Sequence, residues 1–132
     1  MEFKNEKTLK GGVFITFTGN CKAALMLYHS CFGGELYFET FDEPLNGYTG
    51  SPVIRGSLVS DSIIVHGSDL VHDEGRKIGN YLSVFLPCKN AGDRNAIIVK
   101  LKAAVSGQDT IDEDQQLIEV TDAFDVRWIL CV

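Results

Sequence analysis

Between Val13 and Leu36 the apolar positions change their period twice. Val13-Phe14-Ile15-Thr16-Phe17 is a β-branched and aromatic run of strand length. Ala24, Leu27, Tyr28 and Cys31 then recur at i, i+3, i+4 and i+7, which places them on one face of a helix. Asn20 stands where a side-chain oxygen can accept from the free N–H groups of the first turn, and Gly33-Gly34 can supply a left-handed stop. Glu35 to Phe41 alternates apolar with polar residues, so Leu36, Phe38 and Thr40 share one side of a strand. Pro44, Asn46, Gly47, Gly50 and Pro52 mark a loop. Two further short strands follow, Val53 to Val59 and Ser62 to His66, joined at Ser60-Asp61. The first half therefore reads βαβββ.

The second half repeats that order with a weaker signal. Tyr81 to Leu86 has the content of a buried strand stopped by Pro87. Ala91 to Val105 predicts a helix with Ala96, Ile97, Leu101, Ala104 and Val105 on its apolar face, ended by Gly107. The acidic stretch Gln108 to Gln116 has room for one short edge strand. Leu117 to Thr121 and Val126 to Val132 form a hairpin around Asp122-Ala123-Phe124-Asp125. The expected class is α+β, two βαβββ modules at about residues 11–69 and 80–132 in a single domain. The halves share almost no residue identity, so the repeat is one of structure.

Two motifs carry a family resemblance. Phe14-Ile15-Thr16-Phe17-Thr18-Gly19-Asn20, Ala23-Ala24 and the run from Leu27 to Leu36 (LYHSCFGGEL) resemble the opening of PhnB-like proteins in the vicinal oxygen chelate superfamily, the glyoxalase, bleomycin-resistance and extradiol-dioxygenase group. Thr121 to Leu130 (TDAFDVRWIL) is similar to that group's closing D-x-F-G-V-R-W turn and strand, with Asp125 where Gly is usual. The resemblance spans nearly the whole chain, with little signal in Asp42 to Pro52 and Leu70 to Gly79. It implies that the modules form a half-barrel cup and that two chains pair as a homodimer.

In metal-dependent members of that superfamily, His and Glu ligands come from the first and last strands of each module. Carried over by register, those positions fall near Val13, Val65 or His66, Leu82 or Ser83, and Ile129. Of these only His66 could bind a metal, so no metal and no cofactor are expected, and glyoxalase or dioxygenase chemistry lacks its ligand set. A hydrogen-bonded histidine at a strand end is the plainer account of His66. His29, on a helix flank, and His72, in a charged loop, are explained by surface positions. Cys21, Cys31, Cys88 and Cys131 have no metal or disulfide spacing and read as small buried hydrophobes, Cys88 being the candidate for a reactive thiol because Lys89 adjoins it.

What remains is an apolar cup. If Val13, Ile15 and Phe17 face its concave side from the first strand, and Arg127 and Ile129 do so from the last, it would enclose a partly hydrophobic small molecule, an anionic one if Arg127 grips an acid group. Arg127 pairing internally with Asp122 or Asp125 is the competing expectation. Trp128, alternating with Arg127, should pack against a helix. Three functions stay open: metal-independent small-molecule binding, a divergent lyase or isomerase using His66 with Arg127 as clamp, and a dimer whose cup is filled by its own side chains. The chain has no glycine-rich strand–loop–helix for a methyl-donor nucleotide, so methyl transfer has no support.

The composition adds exclusions. A formal net charge of −6 and a sequence pI near 4.9 leave no clustered cations for nucleic acid. A 45% hydrophobic content is ordinary for one globular domain. No apolar run approaches the roughly 20 residues of a bilayer span, and MEFKNEKTLKGG lacks a signal-peptide core, so a cytoplasmic protein with no membrane partner is expected.

Overall fold

The computed structural model describes residues 10–41, 52–70, 76–103 and 114–132. The first module is β1 (Val13–Thr16), α1 (Cys21–Phe32), β2 (Glu35–Thr40), β3 (Val53–Val59) and β4 (Ile64–Ser68), the expected βαβββ. Its sheet has the order β1-β4-β3-β2, with β1 parallel to β4 and the other neighbours antiparallel. The second module contributes β5 (Val84–Pro87), α2 (Ala91–Leu101), β6 (Leu117–Thr121) and β7 (Arg127–Cys131), in a sheet ordered β5-β7-β6. Here β7 lies parallel to β5 and antiparallel to β6. It therefore occupies in its sheet the place β4 has in the first. Most of the segment expected to hold one more edge strand lies outside the described residues, as do Ala104, Val105 and Gly107, and the described Asp114–Gln116 is not extended into a strand.

Local chemistry moves several boundaries. Ser60 closes a turn on Ile63: its backbone N–H donates to the Ile63 carbonyl at 3.1 Å, and its hydroxyl oxygen accepts from the Ile63 N–H at 3.1 Å. The chain consequently re-enters the sheet at Ile64, two residues later than the apolar run suggests. β5 starts only at Val84, leaving Tyr81 and Leu82 84% and 71% exposed. Pro87 ends this strand from within, and at a sheet edge its missing N–H costs no ladder bond.

Asn20 does not cap α1. Its side chain makes no capping bond and instead accepts from the Thr18 N–H at 3.3 Å. Asp69, just past β4, takes over: Oδ1 accepts from the N–H groups of Gly19 at 2.8 Å and Cys21 at 3.1 Å, and Oδ2 from Val53 at 2.9 Å. Asn90 does cap α2, accepting from the Asp93 N–H. The buried face of α2 is Arg94, Ile98 and Leu101, with Ile97 at its margin and Ala96 exposed. Arg94 turns inward because its guanidinium donates from Nη1 to the carbonyls of Gln115 at 2.7 Å and Gln116 at 3.2 Å.

Both modules bury their apolar faces in one core. α1 contributes Cys21, Ala24, Leu25 and Tyr28, and packs on Val65 and Leu58 of the first sheet. Trp128 of β7 meets the same helix, its ring 5.2 Å from Tyr28 and 5.5 Å from Phe32, centroid to centroid, as the helix contact expected for Trp128 requires, and Leu130 joins the same core. Phe17 meets Phe124 edge-on at 6.4 Å. Helix and sheet approach so closely at β3 and β4 that a Cβ on Gly56 would lie 2.8 Å from Leu25, and one on Gly67 2.9 Å from Phe17 and 3.0 Å from the Cys21 sulfur. Gly67→Ala is accordingly expected to destabilise the protein by about 1–3 kcal/mol, the usual range for overpacking, read from the shift in its urea midpoint. An unchanged midpoint would mean that α1 rides further from the sheet than this.

Candidate functional site

Strand register lines up one residue from each strand of the first sheet on the face away from α1. Phe14 of β1 is opposite His66 of β4, His66 is opposite Ser57 of β3, and Ser57 is opposite Tyr37 of β2. Because side chains alternate along a strand, this row shares a face, while Val13, Ile15, Val65 and Leu58 point to the core. Phe14 is 55% exposed, His66 is half-buried and Ser57 has no exposed surface. Ser57 Oγ and His66 Nδ1 lie 2.7 Å apart. Burial holds the His66 imidazole below its ordinary pKa, which favours the neutral ring. On the same face, Tyr37 donates its hydroxyl to Glu35, and Arg55 and Glu39 form an exposed ion pair at 3.8 Å.

The corresponding row of the second sheet is Phe85 of β5, Ile129 of β7 and Glu119 of β6. Phe85 is 59% exposed. Arg127, on the same face of β7 as Ile129, donates from Nε to Glu119 Oε1 at 3.0 Å, forms its salt bridge there through Nη2, and reaches the Asn80 carbonyl with Nη1. Its internal partner is thus Glu119, diagonally across the hairpin, and not Asp122 or Asp125. Asp122 is held elsewhere, accepting from the Tyr28 hydroxyl at 2.6 Å, the Trp128 indole N–H at 2.9 Å, and the backbone N–H groups of Phe124 and Val126. Asp125 sits at φ 64°, the left-handed conformation in which Gly is the usual residue and Asp is tolerated.

The positions singled out from sequence are therefore divided. His66 lies on the face of the first sheet away from α1; Arg127 and Ile129 lie on the equivalent face of the second. Val13 and Ile15 pack on the common core, and Phe17, just past β1, is part of it at 1% exposure. These three therefore do not share the face of His66; Phe14 is the β1 side chain that stands opposite it. Nothing in the sequence pattern marks Phe14, Ser57 or Tyr37 as members of this row. A hairpin centred between Asp61 and Ser62 would have put Ser57 opposite His66, but the turn residues pointed to Ser60-Asp61.

The facing residues also bear on metal chemistry. Across the two equivalent rows, Phe14, His66, Phe85 and Ile129 stand on the first and last strands of each module, and His66 is the one donor among them. This donor set does not fit a metal held by three or more side chains. Among the described residues no three His, Cys, Asp or Glu side chains gather for a metal. The thiols are subdued: burial, and after it the charge of Asp69, pushes Cys21 up to about 12, and burial raises Cys31 and Cys88 as well. For Cys88 burial outweighs the cation effect expected from Lys89.

The architecture is that of PhnB-like proteins. PA1353 from Pseudomonas aeruginosa superposes with a TM-score of 0.76 at 22% identity over 94% of this chain and 97% of its own. A PhnB protein from Bacillus cereus, whose description also names a 3-demethylubiquinone-9 3-methyltransferase, gives 0.69 at 18% identity over 93% and 98%. A gene product from Arabidopsis thaliana gives 0.58 at 19% over 95% and 99%. No protein-family model matches the chain, and no curated protein matches it. Among the described residues no helix is long and apolar enough to cross a membrane.

Proposed function

We propose that this chain is a metal-independent small-molecule-binding protein of the PhnB-like kind. The observation that carries it is the row Phe14–His66–Ser57–Tyr37, aromatic at both ends with a hydrogen-bonded polar pair at its centre. Mostly apolar surface with a few fixed polar groups is how proteins hold and orient small ligands. Phe14 and Phe85, each more than half exposed on these two faces, are suited to be covered by a ligand and by the second copy of a homodimer. Arg127 already shares its charge with Glu119, so anchoring of the ligand falls chiefly to the His66–Ser57 pair. A lyase or isomerase built on His66, and a dimer with its cup filled by its own side chains, are the competing functions.

Native mass spectrometry of the protein purified from cells, with metal analysis on the same sample, tests the proposal. The expected result is a metal-free dimer carrying an organic adduct that is lost in His66→Ala. A stoichiometric divalent metal would overturn it in favour of Lewis-acid chemistry. A bare dimer would favour the filled cup, and an adduct turned over on incubation would identify an enzyme.

A further inference from the structure

The Ser57 hydroxyl has no exposed surface and, among the described residues, one hydrogen-bond partner, Nδ1 of His66 at 2.7 Å. A buried hydroxyl that accepts a bond but donates none leaves its proton unsatisfied, a costly arrangement in a protein interior. Here the only arrangement that uses the proton is donation from Ser57 Oγ to Nδ1. Nδ1 must then present a lone pair, and the neutral ring carries its hydrogen on Nε2.

We infer that Ser57 is a positioning residue that fixes His66 as the neutral Nε2–H tautomer, so that any group meeting Nε2, of the protein or of a ligand, meets a hydrogen-bond donor. The two residues are direct partners in the β3–β4 ladder, so backbone pairing holds the contact in place. On the same face Glu39 pairs with Arg55 at 3.8 Å, and Glu35 accepts from Tyr37. A ligand group that bonds to Nε2 in this tautomer must be an acceptor, a carbonyl, ether, carboxylate or phosphoryl oxygen. Nε2 cannot serve as a general base in this state, and a metal there would first have to displace its proton. The functional consequence rests on the proposed ligand role of this face; the tautomer itself does not.

Long-range ¹H–¹⁵N correlation spectra of the labelled full chain without ligand, at a pH where the ring is neutral, test the inference directly. His66 is assigned by loss of its signals in His66→Gln. The wild type is expected to show protons at Nε2 and a bare Nδ1, with a net bias of about fivefold or more, the factor one buried hydrogen bond supplies. Ser57→Ala should bring the second tautomer up, and Ser57→Thr, which keeps the hydroxyl, should restore the wild-type pattern. A proton at Nδ1 in the wild type would overturn the inference, and that spectrum decides it even if Ser57→Ala does not fold. An unchanged tautomer in folded Ser57→Ala would remove Ser57 from the role. Failure to bind any ligand in the mass-spectrometric experiment would leave these spectra unaffected, so the two proposals fail separately.

Discussion

Asp122→Ala is expected to lower the free energy of unfolding by about 4 kcal/mol, the scale of removing one partner from a buried charged network. The substitution strips four donors of their acceptor at once: the Tyr28 hydroxyl, the Trp128 indole N–H, and the N–H groups of Phe124 and Val126. Asp122 is 3% exposed, so water cannot fully replace it without opening the core. The loss falls at the joint between the modules, because Tyr28 and Asp122 are 94 residues apart in sequence. Urea denaturation followed by Trp128 fluorescence would measure it. Asp122→Asn, which keeps one acceptor oxygen, should lose less than Asp122→Ala. A loss below about 1 kcal/mol for Asp122→Ala would show that the bonds to Tyr28 and Trp128 are readily replaced, contrary to the usual cost of a buried unmet donor.

Asp69→Ala is expected to cost about 3 kcal/mol, less because three backbone donors, at Gly19, Cys21 and Val53, lose their acceptor and some can recruit water. Asp69 acts as a cap supplied from 48 residues away, its carboxylate set against the N-terminus of α1, where the helix dipole also favours negative charge. Asn20→Ala should cost under about 0.5 kcal/mol, far below an ordinary N-cap deletion, since its side chain makes no capping bond. The pair of measurements discriminates sharply: a larger loss at Asn20 than at Asp69 would return the cap to the local residue. A second readout is thiol labelling at Cys21. Removing the Asp69 charge takes away one of the two causes that hold that thiol protonated, and loosening the helix end exposes it, so labelling should accelerate in Asp69→Ala.

Both aspartates show where sequence-level inference stops. The motif containing Asp122 is legible as a turn preceding the last strand, and Asp125, standing where Gly is usual in the resembling motif, is left-handed in the structure. That Asp122 binds Tyr28 and Trp128 was not visible, because neither spacing nor period relates the first helix to the last strand. Asn20 and Asp69 illustrate a different failure. Local propensity favoured Asn20, but a carboxylate brought up by the sheet satisfies the same donors with charge, and it prevails.

The candidate site was legible to a similar depth. His66 stood out as the one residue at the carried-over positions able to bind a metal, yet its partner Ser57 and its neighbours Phe14 and Tyr37 depend on register. Register is a fine adjustment: a slip of one residue turns every side chain to the other face. The turn at Ser60–Ile63 sets it here, through bonds of the Ser60 hydroxyl and backbone that no hydrophobic pattern records. The parallel pairing of β1 with β4 likewise turns Val13 and Ile15 to the core and Phe14 to the side of His66.

Element order, the βαβββ period of the first half and the helix-facing side of Trp128 are all written in residue types and their local spacing. They could be read along the chain because period and side-chain chemistry are local properties. Which aspartate caps α1, which acid holds Arg127, how the two modules share one core through Tyr28, Phe32 and Trp128, and which strand residue meets His66 were decided by the tertiary structure. Each of these joins groups far apart in sequence, and their partners are selected by strand register and by the need to satisfy every buried donor, conditions that exist only once the chain has folded.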